Sequence, residues 1–259
     1  MAYIYGKSGE SALNVSTEKR EKILWATLLV LVYIAMAVGV LMGAMFSQSS
    51  VVRYFSFAAI LLVFVLVRIW LRRHSSIIED KLRNARAWRR GYEGERVVGE
   101  LLETDLPDKF HVFNDLHFPG LKANIDHIVI GPTGVFVLDT KNWRGVVEWD
   151  EDGKKILLNG EEQDVARKIM AVALDVHDKL QTLTGRHFFV RPVLVFPLAK
   201  VVPRFKMTVE LQQDNFLIEK CLNNCYDKSK SLSDSDIDIV VHALRALFRD
   251  NVAENMNDE

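Results

Sequence analysis

An uncharged apolar stretch near the amino terminus constrains the fold of this chain more than any other feature. Residues Ile23–Phe46 contain no Asp, Glu, Lys or Arg, and the following stretch Tyr54–Trp70 carries Arg68 as its one charged residue. A helix over the first stretch, at 1.5 Å per residue, is longer than the roughly 30 Å hydrocarbon core of a bilayer. Residues 47–53 alone separate the two stretches. The sequence therefore predicts a transmembrane helical hairpin over residues 23–71.

Lysine and arginine residues lie mainly outside this predicted hairpin. Four precede the first stretch and seven lie within residues 72–92, whereas the connecting turn holds Arg53 alone. The positive-inside rule then predicts a multi-pass membrane protein with both termini in the cytoplasm and the lipid bilayer as a partner. Gly39 and Gly43 have a spacing that permits close helix contact, so a homo-oligomer through the transmembrane hairpin is also expected. A signal peptide is disfavoured because a second apolar stretch follows at once.

Changes in composition divide the chain into five predicted segments. They are a cytoplasmic amino-terminal segment (1–22), the hairpin (23–71), a basic juxtamembrane connector (72–92), an α/β domain (93–250) and an acidic tail (251–259). The connector is typical of a helix that rests on anionic headgroups, with an electropositive approach to a nucleic-acid site as the alternative. The net charge of −1 indicates no class of partner. The two cysteines, Cys221 and Cys225, make neither a disulfide framework nor, by themselves, a zinc site.

From Gly91 onward the pattern predicts a mixed central sheet flanked by helices. Helices are expected over residues 94–104, 165–184 and 233–248, and strands over residues 110–118, 124–130, 135–141, 146–149, 155–158 and 188–196. The sequence Gly-Pro-Thr-Gly at 131–134 is a turn signal between two strands. The nearly unbroken apolar run at 188–196 is typical of a buried central strand.

Two aspartates and a lysine fall on one face of the hairpin predicted around this turn. A symmetric turn places Asp126 opposite Asp139, and because side chains alternate along a strand, Lys141 shares the face of Asp139. Opposed carboxylates cost stability unless one is protonated or a cation lies between them. Hard divalent cations prefer such oxygen ligands. The pair therefore predicts a metal site, provided that no bulge shifts the register.

Glu95 is the third acidic candidate for this site. On a helix that begins near Gly94, Glu95 shares a face with Val98 and Leu102, so we expect it to point at the sheet. Taken alone, Glu95 also suits the first turn of a helix, where the dipole favours an acid, and Lys141 alone also suits a simple ion pair with Asp139. Three acids and a lysine on one surface together favour a functional site.

The residues that carry this site also resemble a known family. Gly94-Glu95 and the stretch NIDHIVIGPTGVFVLDTKNWRG at 124–145 resemble the NERD (nuclease-related) domain, a branch of the PD-(D/E)xK, restriction-endonuclease-like superfamily. The resemblance spans about residues 91–217. It implies a restriction-endonuclease-like fold, Glu95, Asp126 and Asp139 as metal ligands, and Lys141 as the catalytic lysine. Gln163 resembles a glutamine of the family and joins the implied catalytic set.

The resemblance departs from the family pattern at one ligand. The family more often has Glu where this chain has Asp139, and the shorter side chain would shift the metal and alter its preferred identity. The superfamily pattern accepts either acid.

The resemblance implies a nuclease that uses Mg²⁺ (or Mn²⁺) to hydrolyse DNA or RNA. Arg144 can contact a backbone phosphate and Trp143 can stack on a base, although Trp143 equally suits a core position. We therefore expect a membrane-anchored, metal-dependent nuclease at the cytoplasmic face, with nucleic acid as its partner. A non-catalytic nucleic-acid-binding module and a membrane scaffold on the same fold are the alternatives.

Overall fold

The chain forms two compact units. The computed structural model describes residues 1–46, 48–117, 124–202, 204, 209–213, 217–222 and 231–257, so that Cys225 lies outside the described residues. One unit contains Leu13–Arg89, and the other contains Met1–Ala12 together with Arg90–Glu259. The first twelve residues therefore belong to the same unit as the α/β domain, an assignment that depends on long-range contacts.

The unit Leu13–Arg89 is helical. Helix α1 spans Glu10–Met45 and contains the first apolar stretch, and helix α2 spans Ser50–Asp105 and contains the second. Helix α2 also includes the basic connector and the helix predicted over 94–104. A Cβ built at Gly39 or Gly43 meets no atom within 4 Å, so the described residues form no close helix contact at these glycines.

The predicted transmembrane hairpin over residues 23–71 is wrong. A crossing requires about 20 consecutive, predominantly apolar residues in one helix. Among the residues that the structure describes, no helix combines the length and the apolar character that a membrane crossing demands. The predicted multi-pass membrane localisation is therefore also wrong. The lipid bilayer as a partner and a homo-oligomer formed through the hairpin have no support.

The predicted α/β fold with helices flanking the sheets is confirmed. In chain order the strands are β1 (Tyr3–Tyr5), β2 (His111–Leu116), β3 (Ile125–Gly131), β4 (Gly134–Thr140), β5 (Gly145–Trp149), β6 (Ile156–Leu158), β7 (Glu161–Gln163), β8 (Val190–Val195), β9 (Ala199–Val201) and β10 (Glu210–Gln212). Helix α3 spans Ala166–Thr184 and helix α4 spans Asp234–Asn257, with a short π-helical segment at Leu217–Leu222.

The main sheet has six strands in the order β1-β2-β3-β4-β8-β10. Strands β2, β3 and β4 pair in antiparallel fashion, whereas β1 joins β2, β8 joins β4 and β10 joins β8 in parallel. Every residue of β8 is buried, as predicted for a central strand. A smaller sheet has the order β7-β6-β5-β9.

Helices cover both faces of the main sheet. On one face, apolar residues of β3 and β4 such as Ile128 and Val137 join a core with α3 and α4. On the other face, Val129 and Leu138 join a second core with the last turns of α2, including Val98 and Leu102. Because successive residues of a strand face opposite sides, Ile128 and Val129 of β3 lie in different cores.

Local sequence signals correctly predicted the end of α3 and the start of α4. Gly185 adopts a left-handed conformation with φ 68° just after α3, and its N–H donates a 2.8 Å hydrogen bond to the Gln181 carbonyl, as glycine does at helix ends. The Ser233 hydroxyl caps α4 by accepting a hydrogen bond of 3.2 Å from the Asp236 N–H. Helix α4 continues to Asn257, beyond the end predicted near Phe248.

Strand β1 has no counterpart among the predicted elements. Its residues pair with β2 from Tyr3↔His111 to Tyr5↔Phe113. The Tyr3 ring stacks on the His111 ring, and the Tyr5 ring stacks on the Phe113 ring at 4.4 Å between centroids. These contacts join the chain's first residues to a strand more than a hundred residues away.

Candidate functional site

The β3–β4 hairpin has the register that a symmetric turn predicts. Gly131 pairs with Gly134, and the pairing continues outward to His127↔Leu138. Asp126 and Asp139 are the next position on each strand, at the open end of the ladder. Oδ2 of Asp126 accepts a 2.7 Å hydrogen bond from the backbone N–H of Thr140. The two aspartates therefore lie beside each other where β3 and β4 end.

Lys141 lies against the Asp139 side chain. Its Nζ donates a hydrogen bond of 2.5 Å to Oδ1 of Asp139, and each of the two side chains is 27% exposed. The backbone of Lys141 is also fixed, because its N–H donates a 2.8 Å hydrogen bond to the Val195 carbonyl on β8. The ammonium group is thus held within the acidic cluster while remaining accessible to solvent.

Glu95, on α2, completes the cluster from the opposite side of the sheet. Burial and, to a lesser degree, the negative charges of Asp115 and Asp139 together raise the pKa of Glu95 to about 7, although Lys141 opposes the shift. Glu95 therefore retains affinity for a proton near neutral pH. A proton or a metal cation would relieve the repulsion between Glu95 and the neighbouring carboxylates.

Asp126 is a second carboxyl group with a raised pKa. Burial raises the pKa of Asp126 well above its ordinary range, and the charges of Asp139 and Glu95 add to the shift. Lys141 and the Thr140 N–H act in the opposite direction. Burial lowers the pKa of Lys141, but the three carboxylates outweigh it and hold that pKa above the ordinary value. The carboxyl groups of the cluster therefore disfavour one another's ionisation, and Lys141 offsets only part of that effect.

The donor set suits a hard divalent cation, because carboxylate oxygens are the ligands that Mg²⁺ and Mn²⁺ prefer. The raised pKa values of Glu95 and Asp126 indicate carboxylates whose repulsion a cation would relieve. Within the described parts of the chain, however, no group of three or more His, Cys, Asp or Glu residues is placed to hold an ion. The chemistry of the residues fits a metal, and the carboxylate side chains would have to move to bind one.

A cavity of about 400 Å³ lies in front of the two aspartates. Asp126, Asp139 and Lys141 line it from the strand ends, and α3 forms the facing wall with Lys168, Ala171 and Val172. Glu95 is not among the lining residues. A phosphate group that entered the cavity would meet the two aspartates and Lys141 together.

Asp115 is an acidic neighbour of the cluster that sequence reasoning missed. It has φ 52°, an uncommon backbone conformation for a residue other than glycine, and the β2–β3 pairing omits it between Asn114 and Leu116. Its carboxylate accepts hydrogen bonds from the Ser11 N–H at 2.5 Å and from Nδ2 of Asn124 at 2.9 Å. A polar residue that interrupts an apolar strand is the only sequence signal for it.

The amino-terminal segment packs against the Glu95 side of the cluster. Gly9, with φ 72°, lies against Tyr92 and Glu95, and a Cβ there would come within 2.7 Å of the Tyr92 ring and 3.3 Å of Oε2 of Glu95. Gly99, one turn after Glu95, lies under Ser8 so closely that a Cβ would overlap the Ser8 side chain. Glycine is required at both positions by this close approach.

The remaining predicted site residues lie outside the cavity. Gln163 is in β7, where it pairs with Ile156 and its Nε2 donates to the Glu161 carbonyl at 3.3 Å. Trp143 packs on the core with its ring 5.6 Å from the Phe196 ring, the core position that the sequence had left open. Arg144 is exposed just before β5. The structure therefore brings together Glu95, Asp126, Asp139 and Lys141, and leaves Gln163 apart from them.

His127 faces away from the cluster. It is fully buried on the α2 side of the sheet, and its Nδ1 lies 2.8 Å from Oδ1 of Asn114. Burial lowers the pKa of His127 to about 3, so the ring is neutral at physiological pH. His127 therefore belongs to the packing of the sheet against α2.

Comparison with known proteins shows that the cluster lies within a segment that matches a family model. Residues 90–197 match the family model described as NERD, nuclease-related domain, which belongs to the general PD-(D/E)xK class. An uncharacterized protein of Bacillus anthracis is 23% identical over 172 residues, an alignment that covers 64% of this chain and 78% of that protein. No solved structure gives a significant match.

Proposed function

We propose that this chain, whose residues 90–197 match the nuclease-related domain family model, hydrolyses phosphodiester bonds of DNA or RNA with a divalent cation. The observation that carries the proposal is the meeting of Asp126, Asp139 and Lys141 at the open end of β3 and β4, in front of a cavity. Glu95 adds a third carboxylate from α2.

Asp126, Asp139 and Glu95 are the residues that would hold Mg²⁺ or Mn²⁺. When bound, such an ion supplies Lewis-acid stabilisation of phosphate charge and lowers the pKa of a coordinated water. The Thr140 N–H fixes one oxygen of Asp126, which restricts the rotation of that carboxylate. The carboxylates that face the cavity then determine where the reacting phosphate lies.

Lys141 supplies positive charge in this mechanism. Its ammonium group, held 2.5 Å from Asp139, would balance the negative charge that develops on the phosphoryl oxygens as water attacks. The carboxylates keep its pKa raised, so the group remains protonated and supplies a full positive charge. Contact of Arg144 with phosphate and stacking of Trp143 on a base stay predictions.

The direct test is cleavage by the purified full-length chain. The full chain is needed because residues 1–12 belong to the α/β unit. Single- and double-stranded DNA and RNA are incubated with Mg²⁺, Mn²⁺, Ca²⁺ or a chelator, and we expect cleavage with Mg²⁺ or Mn²⁺ alone. Asp126→Asn and Lys141→Ala should abolish it while the melting temperature shows a folded protein. Lys155→Ala, which removes a surface pair with Glu162, is the matched control.

A fully active Lys141→Ala variant would refute the mechanism. A second function, nucleic-acid binding without cleavage, is favoured by the absence of a ready three-residue metal group among the described residues. Salt-dependent binding with no turnover in any metal would select this alternative.

A further inference from the structure

Helix α3 presents one positively charged side chain to the cavity. Lys168, Ala171 and Val172 have the i, i+3, i+4 spacing of residues on one helix face, and all three line the cavity. Ile169 also lines the cavity and is part of the buried core. Lys168 is therefore the charged residue that α3 contributes to this wall, between an apolar surface and solvent.

Lys168 differs from the neighbouring cations in having no hydrogen-bonded or ion-paired partner among the described residues. Lys141 is engaged by Asp139, and Arg167 is engaged by Asp164 through hydrogen bonds of 2.8 and 3.2 Å. Lys168 makes no hydrogen bond or salt bridge to any residue of the described ranges. Its charge helps to lower the pKa of Asp164, but less than the hydrogen bond and charge of Arg167 do. Its ammonium group is therefore available to an anion that enters the cavity.

The charges around the cavity indicate that binding of a polyanion needs a further cation. Asp126 and Asp139 repel a polyanion, and Lys141 is already shared with Asp139. A nucleic acid that placed one phosphate at the aspartates would extend its backbone along the cavity walls. A free ammonium on the α3 wall would attract a phosphate of that backbone as a point charge, without reading its sequence.

We infer that Lys168 is a substrate-binding residue that contacts a backbone phosphate of the nucleic acid from the α3 wall of the cavity. The inference rests on the proposed nuclease function and adds the element that holds the substrate. Because the contact is to phosphate, it serves DNA and RNA alike and discriminates little between sequences.

The test compares Lys168→Ala with Arg167→Ala in the full-length chain. Binding to a labelled oligonucleotide is measured with Ca²⁺ over a range of salt concentrations, and KM and kcat are measured with Mg²⁺. For Lys168→Ala we expect weaker binding, a slope of log affinity against log salt that is smaller by about 1, and a raised KM with kcat nearly unchanged. Arg167→Ala should match the wild type, and Lys168→Arg should restore the slope.

The outcomes separate this inference from the proposed function. A Lys168→Ala variant with wild-type salt slope and KM overturns the inference, whether or not the wild type cleaves. A wild type that binds but never cleaves refutes the nuclease proposal, while the slope still reports on Lys168. A loss of kcat with unchanged KM also overturns the inference, because it would place Lys168 in the chemical step. Absence of binding to both DNA and RNA overturns both.

Discussion

The backbone N–H of Thr140 donates a hydrogen bond of 2.7 Å to Oδ2 of Asp126, across the open end of the β3–β4 ladder. The bond joins the last residue of β4 to the acidic residue of β3 at the position where regular pairing has stopped. It holds one carboxylate oxygen at the strand ends and keeps Asp126 beside Asp139. The position of the acidic pair is therefore set by backbone geometry as well as by side-chain packing.

We first predict that the acidic pair lowers the free energy of unfolding of the metal-free protein. Asp126→Asn keeps an oxygen that can accept the Thr140 hydrogen bond but removes a buried carboxyl group whose ionisation is disfavoured by burial and by two neighbouring carboxylates. We expect the metal-free variant to be more stable than the wild type near pH 8, by about 1 kcal/mol, the size of a cross-strand charge interaction. Chemical denaturation of both proteins with a chelator present measures the difference. A less stable variant would show that the aspartates do not repel each other.

We also predict that the stability of the metal-free protein depends on pH through Glu95. The pKa of Glu95 is about 7 in the folded protein against an ordinary value of 4.5. Between these values the folded state binds a proton that the unfolded state has released, so the free energy of unfolding falls as pH rises through this window. Melts of the metal-free protein from about pH 5 to about pH 8 measure the fall.

Two variants isolate the contribution of Glu95. Glu95→Gln should flatten the dependence on pH because it removes the titrating group, whereas Glu103→Gln, an exposed position on the same helix, should leave it unchanged. Mg²⁺ should restore stability most at the alkaline end, since a ligand stabilises the state that binds it. An equal slope in Glu95→Gln and wild type would contradict the assignment.

The third prediction concerns the hydrogen bond between Ser11 and Asp115. Ser11→Pro removes the backbone N–H that donates to Asp115 and should be tolerated by the first turn of α1, where proline fits. Leaving a partly buried carboxylate without this donor should cost about 1–3 kcal/mol. Ser11→Ala retains the N–H and loses only the hydroxyl that accepts from Asn124, so its loss should be smaller. Denaturant melts rank the two variants, and the reverse order would refute the role of the N–H.

The fourth prediction concerns the contact between Gly99 and Ser8. A Cβ at Gly99 overlaps the Ser8 side chain, so Gly99→Ala should lower the melting temperature even though alanine favours a helix. Gly39→Ala is the matched control, because nothing lies within 4 Å of a Cβ there and the change should stabilise α1 by up to about 1 kcal/mol. A Gly99→Ala protein as stable as Gly39→Ala would show that Ser8 does not pack on α2.

The sequence alone was sufficient for the features that depend on near neighbours in the chain. The turn at Gly131–Gly134 determines the register, and the alternation of side chains then places Asp126, Asp139 and Lys141 on one face. The helical spacing of Glu95 with Val98 and Leu102 likewise predicted its approach to the sheet. Each of these relationships spans a few residues, and local stereochemistry determines it.

Predictions that relied on composition or on a loose match were less successful. The length and apolar character of residues 23–71 predicted a membrane hairpin, yet no described helix meets both requirements for a crossing. The family resemblance implies Gln163 as a site residue, but Gln163 lies in β7 and pairs with Ile156. Among the α3 residues that line the cavity, the charged one is Lys168, two residues after the helix begins.

By itself, the sequence determined the acidic hairpin, its register and the helices that flank it, because turns, alternation and helical periodicity act over short distances. The tertiary structure alone decided that Tyr3–Tyr5 joins the main sheet, that Ser11 holds Asp115, and that Lys168 faces the aspartates. The residues of these contacts are far apart in the chain, and no local preference encodes their meeting. They depend on burying both faces of the sheet at once, which only the whole fold accomplishes.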